Sequence, residues 1–252
     1  MERAGLTPDP WQKALLMSSW DRALLNCARQ SGKTTASAAL ALETALSGTD
    51  NLVLILAPAR RQSKEFLRTC RGLYRDASPD VELDQQSELR VRFENESRII
   101  ALPGKEGTVR GYTADLVIAD EAARVPDAAY VATRPMLAVS EGQFVGLSTP
   151  AGQRGWFYTA WSDPTQDWER VEVTGKDCPR MSEEFLEQEH REMGEWEFQS
   201  EYMCRFQDTE DQLFRTADIE AALSADVGPL FDTDAEEHLT DTEPLFDQHA
   251  EA

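Results

Sequence analysis

An α/β fold with a mainly parallel central sheet flanked by helices is predicted by three observations in the 252-residue sequence. Continuously apolar runs recur, clearest at Leu52–Ala57, and a strand buried on both faces is typical of a parallel sheet. Between these runs lie stretches whose apolar residues recur at helical spacing. Runs and stretches alternate through residues 20–205, the βαβ pattern that crossover helices require.

The elements follow in order. Leu24 and Leu25 with their neighbours read as a short strand, and 34–47, rich in alanine and leucine, as a helix ending near Gly48. The 52–57 strand stops at Pro58. Residues 60–75 form a helix with Phe66, Leu67, Cys70, Leu73 and Tyr74 on one face. Segments 89–93 and 98–102 pair as a hairpin around Asn95. A buried strand at 116–119, a helix at 127–139 and a strand at 143–147 come next. Residues 168–173 add an edge strand. Two helices follow at 182–193 and 195–203, the first opened by Ser182 with its glutamates one position short of a capping box. Trp156, Trp161 and Trp168 read as core or edge packing.

Composition narrows the function classes. There are 46 acids against 25 bases, a formal net charge of -21. A uniformly basic nucleic-acid coat protein is excluded, so any DNA contact must come from a local basic patch working against the global field. Acidic, lysine-poor surfaces also suit a very salty, halophile-like cytoplasm, where screening removes self-repulsion. The cysteines Cys27, Cys70, Cys178 and Cys204 show no CxxC spacing, so neither a zinc site nor a disulfide framework is indicated. No apolar run is long enough for a transmembrane helix, and no membrane role is expected. A reducing, cytoplasmic setting fits.

The chemistry is carried by Cys27-Ala28-Arg29-Gln30-Ser31-Gly32-Lys33-Thr34, which follows a strand and opens a helix. That is the context of a phosphate-binding loop (Walker A). Gly32 lets the backbone approach phosphates, and the helix N-terminus offers positive potential. Lys33 is placed to reach the β- and γ-phosphates of ATP and Thr34 to ligate Mg²⁺, with Ala28, Gln30, Ser31 and Thr35 completing the cradle. Cys27 stands where the general pattern has its first glycine. Downstream, the strand Leu116–Asp120 ends in Asp120-Glu121, a Walker B pattern. Asp120 is the metal-holding carboxylate, and Glu121 the base that activates water. At the end of the next strand, the hydroxyls of Ser148 and Thr149 before Pro150 are candidates for sensing the γ-phosphate.

Together these residues resemble the large terminase subunit of tailed viruses, the ATP-driven motor that packages DNA into capsids. The match runs from about Pro10 to Phe214. Gln12, after Pro10-Trp11, resembles the family's adenine-recognising element. Ala28 to Thr34 resembles its deviant phosphate loop, in which the arginine, here Arg29, is characteristic and the first glycine is often absent. Arg110-Gly111 leading to Asp120-Glu121 resembles the segment around its second motif, and Ser148-Thr149-Pro150 its coupling motif. The resemblance implies a P-loop NTPase of the RecA-like, additional-strand catalytic glutamate class. Glu121, Arg29 and Lys33 would be catalytic. The implied partners are double-stranded DNA, a portal protein and a small terminase subunit, in a homo-oligomeric ring in the host cytoplasm and outside the mature virion.

The family normally continues into a nuclease domain, for which the stretch after Phe206 is too short. The expected organisation is an ATPase domain over 1–210, a linker or helix over 211–231 and an acidic, disordered tail over 232–252. A split motor with a separately encoded nuclease and a truncated provirus remnant both stand, as do a non-catalytic assembly protein and a helicase-like translocase. Two copies of Pro-Leu-Phe-Asp, at 229–232 and 244–247, are candidate partner anchors in the tail. Arg60, Lys64, Arg68, Arg71 and Arg75 share one helix face. They and Arg110 are candidates for contacting DNA or a neighbouring subunit's ATP, against a plain solvated face paired with local acids.

Overall fold

The computed structural model describes residues 1–103 and 111–207. The other residues include Arg110, both Pro-Leu-Phe-Asp copies, the linker and the acidic tail, so those expectations lie outside the described residues.

Eight strands form one sheet: β1 (Arg22–Cys27), β2 (Leu52–Ala57), β3 (Leu83–Ser87), β4 (Arg90–Phe93), β5 (Arg98–Pro103), β6 (Leu116–Asp120), β7 (Gln143–Ser148) and β8 (Glu169–Val173). Their order is β3-β4-β5-β2-β6-β7-β1-β8. Every pair from β5 to β8 is parallel, and only the β3-β4-β5 meander is antiparallel. β7 is therefore inserted between β1, which feeds the phosphate loop, and β6, which ends in Asp120. This is the additional strand of the RecA-like class.

Local sequence explains the elements. All six side chains of β2 and all five of β6 are buried, as their unbroken apolar runs require for strands covered on both faces. One face packs α1 (Pro10–Met17), α2 (Lys33–Leu46) and α3 (Arg60–Ala77) over Leu25, Ile55, Phe66, Leu67 and Ile118. Alanines along α2 let it lie close to the sheet. The other face packs α4 (Asp127–Leu137) and α5 (Gly155–Ser162) over Leu24, Leu54, Val117, Phe144 and Phe157. Near the end of the described residues, α6 (Glu183–Met193) and α7 (Glu195–Glu201) pack through Leu186, Phe198 and Tyr202. Ser182 caps α6 by accepting a hydrogen bond from the Phe185 amide at 3.2 Å, so the N-cap works without the glutamate of a full capping box.

The structure shifts several sequence-based boundaries by one or two residues, among them the end of α3 at Ala77, and adds a strand. The helix expected to reach residue 139 ends at Leu137, shortly after Pro135. The last helix ends at Glu201 and not at 203. Strand β3, with the polar sequence LDQQS, has no apolar alternation to announce it; it is an exposed edge held to β4 with a register shift between Leu83 and Gln85.

The tryptophans pack as expected. Trp156 stacks on Tyr130 at 4.2 Å and meets Phe144 edge-on, and Trp168 lies edge-on to Phe144. The Trp156 indole donates to the Val125 carbonyl at 3.1 Å, satisfying its polar edge. Arg22 lies over the Trp168 ring at 3.9 Å. Among the described residues no helix is long and apolar enough to cross a membrane.

Trp156→Ala removes a buried ring and orphans a buried carbonyl. We expect it to lower unfolding free energy by about 3–5 kcal/mol in urea titration; a loss below about 1 kcal/mol would show that this cluster does not anchor α5 to the sheet.

Candidate functional site

Parallel strands end on the same side of a sheet, and the site is built there. Asn26 pairs in register with Ser148, and Asp120 with Leu147. The phosphate loop, the Asp120-Glu121 pair and the Ser148-Thr149 segment therefore leave three adjacent strands at one level.

The loop turns through two left-handed residues, Gln30 at φ 57° and Gly32 at φ 90°. Glycine is needed at 32 for space as well as for φ. A Cβ there would lie 2.7 Å from the Gln12 side-chain nitrogen and 3.1 Å from an Arg180 nitrogen. The first bond of the α2 ladder runs from the Ala36 amide to the Gly32 carbonyl. The amides of Lys33, Thr34 and Thr35 precede it, at the positive end of the helix.

Lys33 is 7% exposed, yet its ammonium is poorly paired. It donates to the Ala28 carbonyl at 3.3 Å and lies 3.9 Å from a Glu121 carboxylate oxygen. A desolvated cation with distant partners beside a helix N-terminus is suited to an incoming anion. In and below the loop, the buried Ser31 Oγ, Asn26 Oδ1 and Ser148 Oγ have no hydrogen-bond partner among the described residues. The exposed Arg29 side chain leaves the same loop, whose backbone is tied to α7 by the Arg29 amide donating to the Glu201 carbonyl at 2.7 Å.

Thr34 Oγ1 lies 3.4 Å from both carboxylate oxygens of Asp120. Burial, and then the neighbouring Glu121 charge, raises the Asp120 carboxyl to about 7, against the weaker opposing effects of Lys33 and Thr34. A hydroxyl beside a carboxylate is a hard-oxygen pair that suits Mg²⁺, which takes one or two protein ligands and fills its octahedron with water and phosphate. Among the described residues there is no cluster of three or more acidic, histidine or cysteine side chains that would hold a metal by itself. Glu121 adopts φ 55°, an uncommon conformation for a non-glycine residue, as it enters the 3-10 turn Ala122–Arg124.

Gln12 is buried, and its amide is engaged within the chain. Its oxygen accepts from the Asp9 amide at 2.9 Å, and its nitrogen approaches the Gly32 carbonyl at 3.5 Å. It thus links the start of α1 to the phosphate loop.

Two arginines outside the sequence-derived set complete the site. Arg180 is bonded to Asp9 at 2.9 Å and to the Ser31 carbonyl at 2.8 Å. Arg124 donates to Glu121 and to Thr149 Oγ1, each at 3.0 Å, and lies 3.7 Å from Glu201. Arg124 was recoverable in principle, because an arginine three residues after a carboxylate on a helical turn faces it. Arg180 carries no such signal, since its partners are 149 and 171 positions away.

The basic stripe on α3 lies outside this constellation. Arg60 and Lys64 share Glu88, Arg68 meets Glu65, Arg75 meets Asp76, and Arg71 donates to the Ser87 carbonyl. Four of its five bases are paired with nearby acids, and Arg71 with a backbone carbonyl.

A family model for "Terminase large subunit, T4likevirus-type, N-terminal" matches residues 24–221, most of the chain. The chain belongs to the terminase large subunit family. A terminase large subunit of Thermus virus P23-45 is 30% identical over 177 aligned residues, covering 62% of this chain and 36% of that protein. The terminase chain thus spans about a third of the length of such relatives. The large terminase ATPase domain of Thermus phage P74-26 is 25% identical, with a TM-score of 0.71 over 81% of this chain and 96% of that domain. A large terminase from a thermophilic bacteriophage, solved in complex with ADP, shares the fold at 14% identity, with a TM-score of 0.69 over 79% of this chain and 54% of that one.

The raised Asp120 carboxyl has a consequence for stability in the absence of metal. An unfolded aspartate titrates near ~4. Between that pH and about 7 the folded state holds the extra proton, so stability falls as pH rises through this window. We expect Asp120→Asn to melt above wild type at pH 8 in chelator, the gap narrowing steadily from pH 7 towards pH 4. A gap independent of pH would refute this origin.

Proposed function

We propose that this terminase domain hydrolyses ATP with Mg²⁺ and belongs to a motor that moves double-stranded DNA into a procapsid. The observation that carries the reading is Lys33, a buried and under-paired ammonium at the N-terminus of α2, facing Asp120 and Glu121 across the loop. Family membership and the P74-26 ATPase domain support it.

In this reading the amides of Lys33, Thr34 and Thr35 cradle the phosphates, with Ala28, Gln30, Ser31 and Gly32 shaping the loop. Thr34 and Asp120 hold Mg²⁺, which when bound neutralises phosphate charge. Lys33 leaves Glu121 for the phosphates. Glu121, freed from that contact, orients the attacking water and accepts its proton. Arg29, exposed on the same loop, is available to the charge that develops on the transferred phosphoryl group. Gln12 is the adenine-recognising residue of this reading, as the family resemblance implies, and its amide contacts would tie that recognition to Gly32. Ser148 and Thr149 end the strand between the two motifs and are placed to pass the loss of the γ-phosphate onward.

The partners belong to the same proposal: double-stranded DNA, a portal protein, a small terminase subunit, further copies in a ring and a separately encoded nuclease, with action in the host cytoplasm. Because the α3 bases are locally paired, DNA contact there requires exchanging carboxylates for phosphates, which is sensitive to salt.

ATP turnover measured with and without duplex DNA, from low to molar KCl, tests the reading. Glu121→Gln should retain nucleotide and lose turnover by about 10²–10⁴-fold, and Lys33→Ala should weaken nucleotide binding itself. Turnover unchanged in Glu121→Gln would remove that residue from the mechanism. Absence of nucleotide binding by the folded wild-type chain would remove the ATPase reading.

A further inference from the structure

Arg124 is a crossroads that the terminase motifs do not explain. Its guanidinium donates from one nitrogen to Glu121 Oε2 and to Thr149 Oγ1, both at 3.0 Å. Its other terminal nitrogen lies 3.7 Å from Glu201 Oε1. The three acceptors come from three places: the residue after β6, the residue after β7 and the last turn of α7. The Glu201 backbone carbonyl in turn accepts the Arg29 amide of the phosphate loop at 2.7 Å. One side chain thus closes a circuit from the phosphate loop through α7 to the candidate base and the strand end beside it.

Several features make this more than a surface ion pair. Arg124 is itself 39% exposed, but its partners lie deeper, with Glu121 26% and Glu201 18% exposed and Thr149 buried, so the guanidinium reaches from the surface to three groups that solvent covers less. Arginine's planar fork suits several fixed acceptors, whereas a lysine would offer a point charge. Glu121 is held between two cations, Lys33 at 3.9 Å and Arg124 at 3.0 Å. A phosphate arriving at Lys33 changes one side of that balance and leaves Arg124 as the carboxylate's remaining partner. The left-handed backbone of Glu121 leads directly into the turn that carries Arg124, so the two side chains are fixed relative to each other.

We propose that Arg124 is a positioning residue that orients Glu121 for base catalysis and transmits nucleotide occupancy to α7 through Glu201 and to the β7 strand end through Thr149. The inference rests on the ATPase reading of the same site. In this proposal Arg124 acts through the carboxylate and not on the nucleotide itself.

The test uses the full chain, with a fluorescent ATP analogue for binding and phosphate release for turnover. Arg124→Ala should lower kcat by roughly tenfold or more while the KM for ATP changes by less than about threefold. Placed in a Glu121→Gln background, it should cost nothing further, because there is no base left to orient. A melting temperature measured alongside separates loss of fold from loss of alignment. A kcat within about twofold of wild type, with Glu121→Gln inactive, would overturn the proposal. A second readout does not depend on turnover. ATPγS should change amide hydrogen exchange across 195–201 in wild type, and Arg124→Ala should abolish that change while still binding the analogue. An α7 response that persists in the variant, or is absent from wild type that binds ATPγS, would overturn it. Wild type that binds no nucleotide at all would instead sink the ATPase reading beneath it.

Discussion

The placement of β7 between β1 and β6, in parallel register, is the constraint from which the rest of the site follows. Asn26 lies beside Ser148, and Leu147 beside Asp120, so three chain segments leave the sheet at one level. Each turns a different chemistry towards the same volume: backbone amides from the α2 end, carboxylates from β6 and hydroxyls from β7. Close approach then depends on Gly32. Its missing side chain lets Gln12 and Arg180 come up to the loop, and so joins α1 and the segment before α6 to the phosphate cradle. A fold with β1 directly beside β6 would bring loop and carboxylates together but leave no strand between them to sense the difference.

The electrostatics of the site oppose its stability. Lys33 is desolvated with only a carbonyl at hydrogen-bond distance, Asp120 is buried beside another carboxylate, and three polar atoms in and below the loop are unpaired among the described residues. Each costs folding free energy that an apolar packing would not. The core on both faces of the sheet supplies the surplus, through the continuous apolar strands and the stacked aromatic cluster. The arrangement is stable as a scaffold and strained as a site, the division expected where charges are preorganised for a ligand.

What the amino-acid sequence made legible was whatever rests on local pattern. β2 and β6 are uninterrupted apolar runs, α3 has clean helical spacing, and the strand-loop-helix around Gly32 is a short motif with a physical purpose. What it hid rests on distance or on weak local signal. β3 is a polar edge, stabilised by its neighbour and not by its own burial. The short helices α1 and α5 are too brief for periodicity to declare them. Arg180 and Glu201 reach the phosphate loop only through tertiary folding. The five bases on α3 show a different limit. A one-sided stripe is visible in sequence, and so are its in-helix partners Glu65 and Asp76, but Glu88, which pairs with Arg60 and Lys64, comes from a hairpin that the spacing cannot place.

These hidden contacts converge on the C-terminal helices. The Gly175 amide donates to the Tyr202 carbonyl, the Asn26 side chain to the Cys204 carbonyl, the Arg29 amide to the Glu201 carbonyl, and Arg180 to the Ser31 carbonyl. The last three are short bonds between groups on or next to the loop and segments far along the chain. The backbone bonds of Gly175 and Arg29 fix position, while the charged side-chain contacts of Arg124 and Arg180 are open to competition from an anion. On the proposed reading, a nucleotide would meet a segment that is firmly attached at its backbone and electrostatically adjustable at its side chains. That combination would let a local change of charge reach α7 without dismantling the sheet that holds the site.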